Sequence, residues 1–316
     1  RQYGRKRIEI FGIFRYNDDR AFLRKMLDSI KGDKAMDTMN PKSIRNICLT
    51  GHSGSGKTSL AEAMLYLSKA TERLGNIADG NTVSDFDEEE IKRGISISTS
   101  VLPITWLDKK INILDTPGYI DFNAEVSEAM RVADSMLIVV DGRAGVQVGT
   151  ELQWKAASRA GIPRAFFINR FDDNEARFKR VFDSLREHFG VAVCPLLIPM
   201  IEKDQVTGFL NLIDMKAFTY HSADGSHDES EIPEEFKEVA DTYHNMLLES
   251  IAETSDELME KFFADEPITY DEAFMAIHKG IITGSIVPVF CGSATKLWGI
   301  KMLMDTISTS FPRYRA

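Results

Sequence analysis

The 316-residue chain contains little cysteine and no long apolar segment. Its three cysteines, Cys48, Cys194 and Cys291, include no C-x-x-C pair and are too few for a disulfide framework. The longest uncharged stretch, residues 280–295, is shorter than the ~20 apolar residues that a membrane-spanning helix needs. These absences exclude a disulfide-stapled secreted domain and a membrane-spanning chain, and they favour a reducing, cytoplasmic compartment.

The chain also lacks an excess of positive charge, since its formal net charge is −10 at pH 7. This charge argues against DNA as a partner, because binding to nucleic acid favours basic surfaces. The acidity is concentrated: residues 201–272 hold twenty acidic and four basic side chains, whereas residues 1–42 hold six acidic and eleven basic ones. The remainder has a net charge of +1, so nearly all of the negative excess lies in one internal stretch.

The composition is that of a folded protein, with 43% hydrophobic and 27% charged residues. These fractions exclude disordered, collagen-like and coiled-coil chains. We interpret residues 1–42 as an N-terminal extension with a modest amphipathic helix over residues 18–30. Because the chain opens on Arg1, we expect this extension not to be a native start, with Met36 or Met39 as alternatives.

The rest of the chain alternates between short apolar runs and amphipathic segments. The predicted strands are residues 44–50, 101–106, 111–114, 136–140, 164–168 and 286–291. The predicted helices are residues 57–70, 148–160, 174–189 and 300–307. This alternation predicts an α/β fold with a mostly parallel sheet and helices on both faces. Because it breaks over residues 199–272, we expect one domain of residues 43–198 and 273–316, interrupted by an acidic α+β subdomain.

A glycine-rich segment follows the first predicted strand and opens the first predicted helix. It reads Gly51-His52-Ser53-Gly54-Ser55-Gly56-Lys57-Thr58-Ser59, and its first eight residues match the phosphate-binding pattern G-x-x-x-x-G-K-[ST]. Glycines let backbone N–H groups turn toward phosphate oxygens, and the helix N-terminus adds the positive end of its dipole. Lys57 is expected to reach the β- and γ-phosphates, and the Thr58 hydroxyl to bind Mg²⁺. The segment therefore predicts a P-loop NTPase.

A second loop, Asp115-Thr116-Pro117-Gly118, closes the strand predicted over residues 111–114. An aspartate at the carboxyl end of a strand beside the phosphate loop suits control of Mg²⁺ through water. The Gly118 N–H is placed to meet the γ-phosphate. We therefore predict that Asp115 and Gly118 belong to the same site as the phosphate loop.

Two further loops follow later strands and have features of a base-binding site. Asp172 can accept both N–H donors on the Watson–Crick side of guanine, whereas adenine lacks that donor pair and would leave the carboxylate unpaired. Asn169 is expected to tie its loop to the phosphate loop, and backbone N–H groups after the last strand are placed to donate to the guanine O6. The predicted base-binding residues are Asn169, Arg170, Asp172, Ser293, Ala294 and Thr295. All four loops lie at carboxyl ends of strands, where an open α/β sheet binds its ligand.

Further motifs carry a resemblance to a known family. They are Asp85-Phe86-Asp87-Glu88-Glu89-Glu90-Ile91-Lys92-Arg93-Gly94-Ile95-Ser96-Ile97, Asp115-Thr116-Pro117-Gly118-Tyr119-Ile120-Asp121-Phe122, Gly142-Arg143-Ala144-Gly145-Val146-Gln147 and Pro288-Val289-Phe290-Cys291-Gly292-Ser293-Ala294. With the phosphate loop, they make residues 43–311 similar to the G domain of the translational GTPases, most closely the elongation factor G family. Residues 199–272 resemble the subdomain that interrupts this domain in elongation factor G. The resemblance implies GTP and GDP as ligands, Mg²⁺ as cofactor, and GTP hydrolysis.

The resemblance also assigns roles around the phosphates. Ser96 stands where the family has a threonine that binds Mg²⁺ and senses the γ-phosphate, and it keeps the hydroxyl that the metal needs. The implied metal-binding residues are Thr58, Ser96 and Asp115, and the implied catalytic residues are Lys57, Gly118 and Tyr119.

Four residues depart from the family pattern. Tyr119 replaces a histidine that positions the attacking water, and its hydroxyl lacks the charge of an imidazole near neutral pH. Gly54 replaces an aspartate of the phosphate loop, so both changes bear on catalytic rate rather than on nucleotide binding. Arg170 replaces a lysine but keeps its charge and long apolar stem, and Ser96 lacks the threonine methyl.

A ribosome partner follows from the same resemblance. We expect contacts with large-subunit rRNA and, through residues 199–272, with the basic surface of the ribosomal stalk protein. The alternative for this acidic stretch is a solvated surface that keeps the protein soluble. We expect a cytoplasmic monomer that binds neither DNA nor membranes. The chain is expected to be an N-terminal fragment that binds nucleotide but does not catalyse translocation.

Several alternative functions stay open at this point. A GTPase of the ribosomal protection factor or release factor 3 type fits the same motifs as a factor for translocation or ribosome recycling. A slow or non-hydrolysing GTP-sensing module is motivated by Gly54 and Tyr119. An ATPase would have to bind ATP more tightly than GTP, which Asp172 disfavours.

Overall fold

The computed structural model describes residues 40–221 and 224–313. The predictions for residues 1–39, including the helix over residues 18–30, lie outside this part. Its strands are β1 Ile44–Gly51, β2 Ser100–Trp106, β3 Lys109–Asp115, β4 Ser135–Asp141, β5 Arg164–Asn169, β6 Val193–Pro195, β7 Leu197–Glu202, β8 Gln205–Asn211, β9 Lys216–Tyr220, β10 His227–Glu231 and β11 Val287–Cys291. Its α-helices are α1 Lys57–Leu67, α2 Glu88–Arg93, α3 Asn123–Val132, α4 Val148–Ala160, α5 Phe178–Phe189, α6 Glu234–Ala252, α7 Asp256–Phe263, α8 Tyr270–Thr283 and α9 Ile300–Ser310.

A seven-stranded sheet lies at the centre, in the order β2-β3-β1-β4-β5-β11-β6. Strands β2 and β3 pair antiparallel, and the other neighbouring strands of this sheet pair parallel. Every residue of β4 and all but the first residue of β5 are buried, so the sheet is covered on both faces. The structure thereby confirms the predicted α/β class with a mostly parallel sheet.

Two groups of helices cover the sheet. Helix α9 packs against α1 and α8, and these in turn pack against β1–β3 and β11. Helices α3 and α4 pack against each other and against β1 and β4. The largest fully buried side chains come mainly from the strands: Phe166, Phe167, Phe290, Ile47, Leu49, Ile111 and Ile113. In the described part of the chain, no helix is long and apolar enough to span a bilayer.

Two helices are shorter than the sequence pattern predicts. Helix α1 ends at Leu67 rather than at residue 70, because Lys69 adopts a left-handed backbone with φ of 61°. Helix α5 starts at Phe178 rather than at residue 174. A turn precedes it, in which the Asp173 carboxylate accepts the Glu175 N–H at 2.9 Å. This turn competes with the helix for the same backbone donors.

A second sheet, with the antiparallel order β10-β9-β8-β7, follows β6 in the chain. Helix α6 comes next and packs against β6 and α7. Its Tyr243 meets Phe178 and Phe182 of α5 edge-on, with ring centroids 5.5 and 5.6 Å apart. These aromatic contacts join the second sheet's helix to the layer that covers the first sheet.

A substitution at Phe182 tests whether this junction stabilises the fold. Phe182 is fully buried and stacks on Phe178, with ring centroids 5.5 Å apart. Replacing it with alanine removes contacts on both sides of the junction and leaves a cavity. We expect Phe182→Ala to lower the free energy of unfolding by about 3–5 kcal/mol, measured by urea denaturation. Phe263 is 80% exposed, so Phe263→Ala is the matched control, with an expected change within about 0.5 kcal/mol. A cost below about 1 kcal/mol for Phe182→Ala would contradict this account.

Candidate functional site

The phosphate loop connects β1 to α1 at the carboxyl edge of the main sheet. Gly56 immediately precedes α1 and has a φ of 90°, a left-handed conformation that favours glycine. A Cβ at this position would collide with the Asn169 side-chain amide. The loop therefore curls tightly enough to touch Asn169, one of the predicted base-binding residues.

Lys57 is buried and folds back over this loop. Its Nζ donates to the His52 carbonyl at 3.2 Å and lies 3.4 Å from the Gly51 carbonyl. Burial lowers the pKa of Lys57, an effect that the nearby carboxylates of Asp115 and Asp85 oppose. A cation held in this way, beside backbone N–H donors, is suited to binding phosphate oxygens.

Two hydroxyls and two carboxylates meet beside Lys57. Thr58 Oγ1 lies 3.1 Å from Ser96 Oγ, which donates to Asp85 Oδ1 at 2.7 Å. Asp115 is fully buried, and its Oδ2 accepts the Ser84 hydroxyl at 2.7 Å. Burial raises the pKa of Asp115 to about 6 and also raises the pKa of Asp85.

This donor set fits a magnesium ion. Asp115 Oδ1 is buried and has no hydrogen-bond partner, although it belongs to the same cluster as the two hydroxyls. Hard oxygen ligands of this kind are those that Mg²⁺ prefers, and the ion would compensate the buried negative charge. Thr58 and Ser96 would hold the ion, and Asp115 would act on it from the buried side.

Gly118 and Tyr119 border the same cleft, which has a volume of about 260 Å³. A Cβ on Gly118 would lie 2.7 Å from Ser53 Cα and would collide with Lys57 Nζ, so only glycine allows this approach to the phosphate loop. The Tyr119 side chain is 44% exposed. It therefore borders the cleft from the solvent side.

The loops that carry the predicted base-binding residues are joined by Asn169. Its Nδ2 donates to the Ser55 carbonyl at 3.1 Å, and its Oδ1 accepts the N–H groups of Ala294 at 3.0 Å and Arg170 at 2.8 Å. One buried side chain thus links the loops after β1, β5 and β11. This observed contact matches the tie between loops that the sequence predicts.

Asp172 lies in the loop that follows Asn169, and its carboxylate takes no part in the hydrogen bonds of Asn169. Its two carboxylate oxygens accept the hydroxyls of Ser293 at 2.6 Å and Thr295 at 3.1 Å. Because Asp172 itself is exposed, its remaining lone pairs can accept donors from a base. The hydroxyls fix the orientation of the carboxylate before a ligand arrives.

Arg170 connects the base loop to two other segments. It has a positive φ of 73°, its Nη2 donates to the Gly54 carbonyl at 2.6 Å, and its Nε lies 3.1 Å from Asp141 Oδ2. Burial acts to raise the pKa of Asp141, but hydrogen bonds and charge from Arg143 and charge from Arg170 hold it below its usual value. The guanidinium therefore lies over the phosphate loop in a fixed position.

The predicted residues Asp172, Ser293, Ala294 and Thr295 do not line this cleft, whereas other residues that were not predicted do. The His52 imidazole packs against Gly149 of α4, so only the backbone of His52 faces the site. Ser59 of α1 does border the cleft. Residues that the sequence argument did not assign to the site are Ser84, Asp85, Ile77, Gly94 and Ile95. The acidic run that starts at Asp85 is a signal for part of this set, but its fold-back onto Thr58 depends on tertiary contacts.

Comparisons with known proteins agree with this arrangement. Residues 42–313 match the family model described as Elongation factor Tu GTP binding domain. The chain is 38% identical over 280 residues to elongation factor G of Granulibacter bethesdensis, covering 88% of this chain and 40% of that protein. A crystal structure of a Thermus thermophilus protein matches with a TM-score of 0.80 at 33% identity, covering 86% of this chain and 41% of that one. The chain therefore spans about 40% of the length of these relatives.

The fold, with a phosphate loop that is tied to a base-binding loop, defines a P-loop GTP-binding domain. The match over residues 42–313 shows that the chain belongs to the family of the elongation factor Tu GTP binding domain. Its class is thus that of the translational GTPases, and its sequence is similar to elongation factor G.

Asn169 offers a direct test of the joined loops. Asn169→Ala leaves the Ser55 carbonyl and two backbone N–H groups without their partner, so the loops should separate more easily. We expect GDP to dissociate about 10- to 100-fold faster, measured with a fluorescent GDP analogue. Asn174 is exposed in the same loop, and Asn174→Ala is the control with an unchanged rate. Equal rates for the two variants would argue against the link.

Proposed function

We propose that the chain binds GTP and hydrolyses it with Mg²⁺ to drive a ribosome-associated step of translation, as in translocation or ribosome recycling. The observation that carries this proposal is the contact of Thr58 with Ser96, at 3.1 Å, beside buried Asp115. It brings the segment before β2 onto the phosphate loop, at the position that we propose for the metal. A segment held there only while metal and γ-phosphate are bound would report the nucleotide state.

The proposed ligand is a guanine nucleotide because of the geometry around Asp172. Its carboxylate is oriented by Ser293 and Thr295 and is open to two N–H donors. The site residues proposed for binding are those of the phosphate loop together with Asp115, Gly118, Asn169, Arg170, Asp172, Ser293, Ala294 and Thr295.

The chain's own groups have distinct roles in the proposed reaction. Lys57 would balance negative charge on the β- and γ-phosphates, and the Gly118 N–H would donate to a γ-phosphate oxygen. Tyr119 would orient the attacking water through its hydroxyl. Bound Mg²⁺ would neutralise charge on the phosphate oxygens when it is held by Thr58 and Ser96.

The proposed partner is the ribosome, in the cytoplasm, with the protein acting as a monomer. We divide the chain into a G domain of residues 43–198 and 273–316 and a subdomain of residues 199–272. Exposed acidic side chains of β10 and α6, among them Glu229, Glu231 and Glu234, favour a basic protein such as the stalk protein as the contact of this subdomain. The phosphates of rRNA would be repelled here, so contact with large-subunit rRNA is proposed for other surfaces of the G domain.

A second candidate function is a GTP-sensing module that hydrolyses slowly or not at all. The exposed Tyr119, without an imidazole at the edge of the cleft, favours it. Within the hydrolysing class, a ribosomal protection factor or release factor 3 type GTPase would use the same site.

Base selectivity is tested by Asp172→Asn. The amide keeps one acceptor and replaces the other with a donor, which faces a guanine N–H and is left unsatisfied. We expect the preference for GDP over ADP to fall by about 10²-fold or more, measured by competition with a fluorescent nucleotide. Asp183 lies on the outer surface of α5 with Lys179, and Asp183→Asn should not change this preference. An unchanged preference in Asp172→Asn would show that Asp172 does not select guanine, and tighter binding of ADP than of GDP by the unaltered chain would favour an ATPase.

Hydrolysis is tested by phosphate release in the presence of saturating ribosomes. If the hydroxyl of Tyr119 orients the water, Tyr119→Phe should slow release by about tenfold without changing GDP affinity. Tyr66 of α1 lies away from the cleft, and Tyr66→Phe should leave the rate unchanged. Absence of release from the unaltered protein would support the sensor instead.

A further inference from the structure

A buried glutamate that the proposed reaction does not use lies directly behind Ser96. Glu90 of α2 is 2% exposed, although Asp87, Glu88 and Glu89 directly before it are exposed. A carboxylate is rarely buried without partners, because desolvation of its charge is costly. The hydrogen bonds of Glu90 therefore indicate its role.

Glu90 accepts backbone N–H groups on both sides of Ser96. Its carbonyl accepts from Gly94 at 2.8 Å and Ile95 at 3.2 Å, and its Oε1 accepts from Ile97 at 2.8 Å and Ser98 at 3.1 Å. The loop that carries Ser96 is thus held before and after that residue. Since both sets of bonds originate from one residue, they fix the backbone from which the Ser96 hydroxyl projects.

The other carboxylate oxygen, Oε2, anchors the beginning of α2. It accepts the Asp87 N–H at 3.3 Å, while the Asp87 side chain accepts the backbone N–H groups of Glu90 and, at 2.8 Å, of Glu89. The reciprocal bonds between Asp87 and Glu90 form a capping box. Helix α2 and the Ser96 loop are therefore held by the same carboxylate. Displacement of this side chain would release both segments.

We propose that Glu90 is a positioning residue that holds Ser96 over the proposed metal site. This inference rests on the proposed function. It requires no contact between Glu90 and the nucleotide, since Glu90 acts through the backbone next to Ser96.

The test compares variants of the full chain whose side chains at position 90 differ in the hydrogen bonds that they can accept. Glu90→Ala loses the side-chain bonds but keeps the carbonyl bonds, whereas the side-chain carbonyl of Glu90→Gln can still accept from Ile97 and Ser98. We expect Glu90→Ala to weaken a non-hydrolysable GTP analogue by about tenfold in Mg²⁺ while GDP affinity changes less than about twofold. Glu90→Gln should restore most of that loss. Glu89 is exposed and pairs with Arg93 on the same helix, so Glu89→Ala is the matched control.

A double-mutant cycle with Ser96→Ala separates positioning from general destabilisation. If Glu90 acts through the Ser96 hydroxyl, Glu90→Ala should weaken the GTP analogue less than about twofold further in the Ser96→Ala background. Additive losses, equal losses for GDP and the analogue, or an unchanged analogue affinity in Glu90→Ala would each overturn this inference. Failure of the unaltered chain to bind either nucleotide would instead overturn the proposed function on which it rests.

Discussion

Parallel pairing of strands that are buried on both faces is the constraint on which the rest of the structure depends. Strand β4 has no exposed residue, and its neighbours β1 and β5 run parallel to it. Parallel pairing requires each connection to cross the sheet, so the loops after β1, β3, β5 and β11 all emerge at one edge. Residues that are far apart in the chain, such as Ser55 and Ala294, can then share one side chain, that of Asn169.

This edge of the sheet contains buried charged side chains, which are rare in protein interiors. Lys57, Asp85 and Asp115 are all buried within one cluster, where a cation and two carboxylates compensate one another only partly. The raised pKa of Asp115 shows that burial outweighs the nearby lysine there. A bound magnesium ion and phosphates would complete this compensation, as the proposed function requires.

Much of the fold could be predicted from the sequence, because burial on both faces leaves uninterrupted apolar strands. Met136–Val140 and Arg164–Ile168 were recognisable for that reason, and helix α4 starts and ends where its pattern predicts. The start of α5 could not be predicted from periodicity, since the Asp173 turn competes locally with the helix. The net charge of −10 likewise does not predict the charge of any one surface, because the acidic excess lies mostly in residues 201–272.

By itself the sequence determined six of the seven strands of the central sheet, four of the helices and the phosphate loop. Local patterns suffice for these features, because a glycine-rich turn between a strand and a helix needs no distant residue. Only the tertiary structure decided that Ser96 meets Thr58, that Ser84 and Asp85 join the metal side, and that Glu90 is buried behind them. These contacts depend on the path of a segment between α1 and β2, where no periodic pattern indicates which polar groups will be buried together.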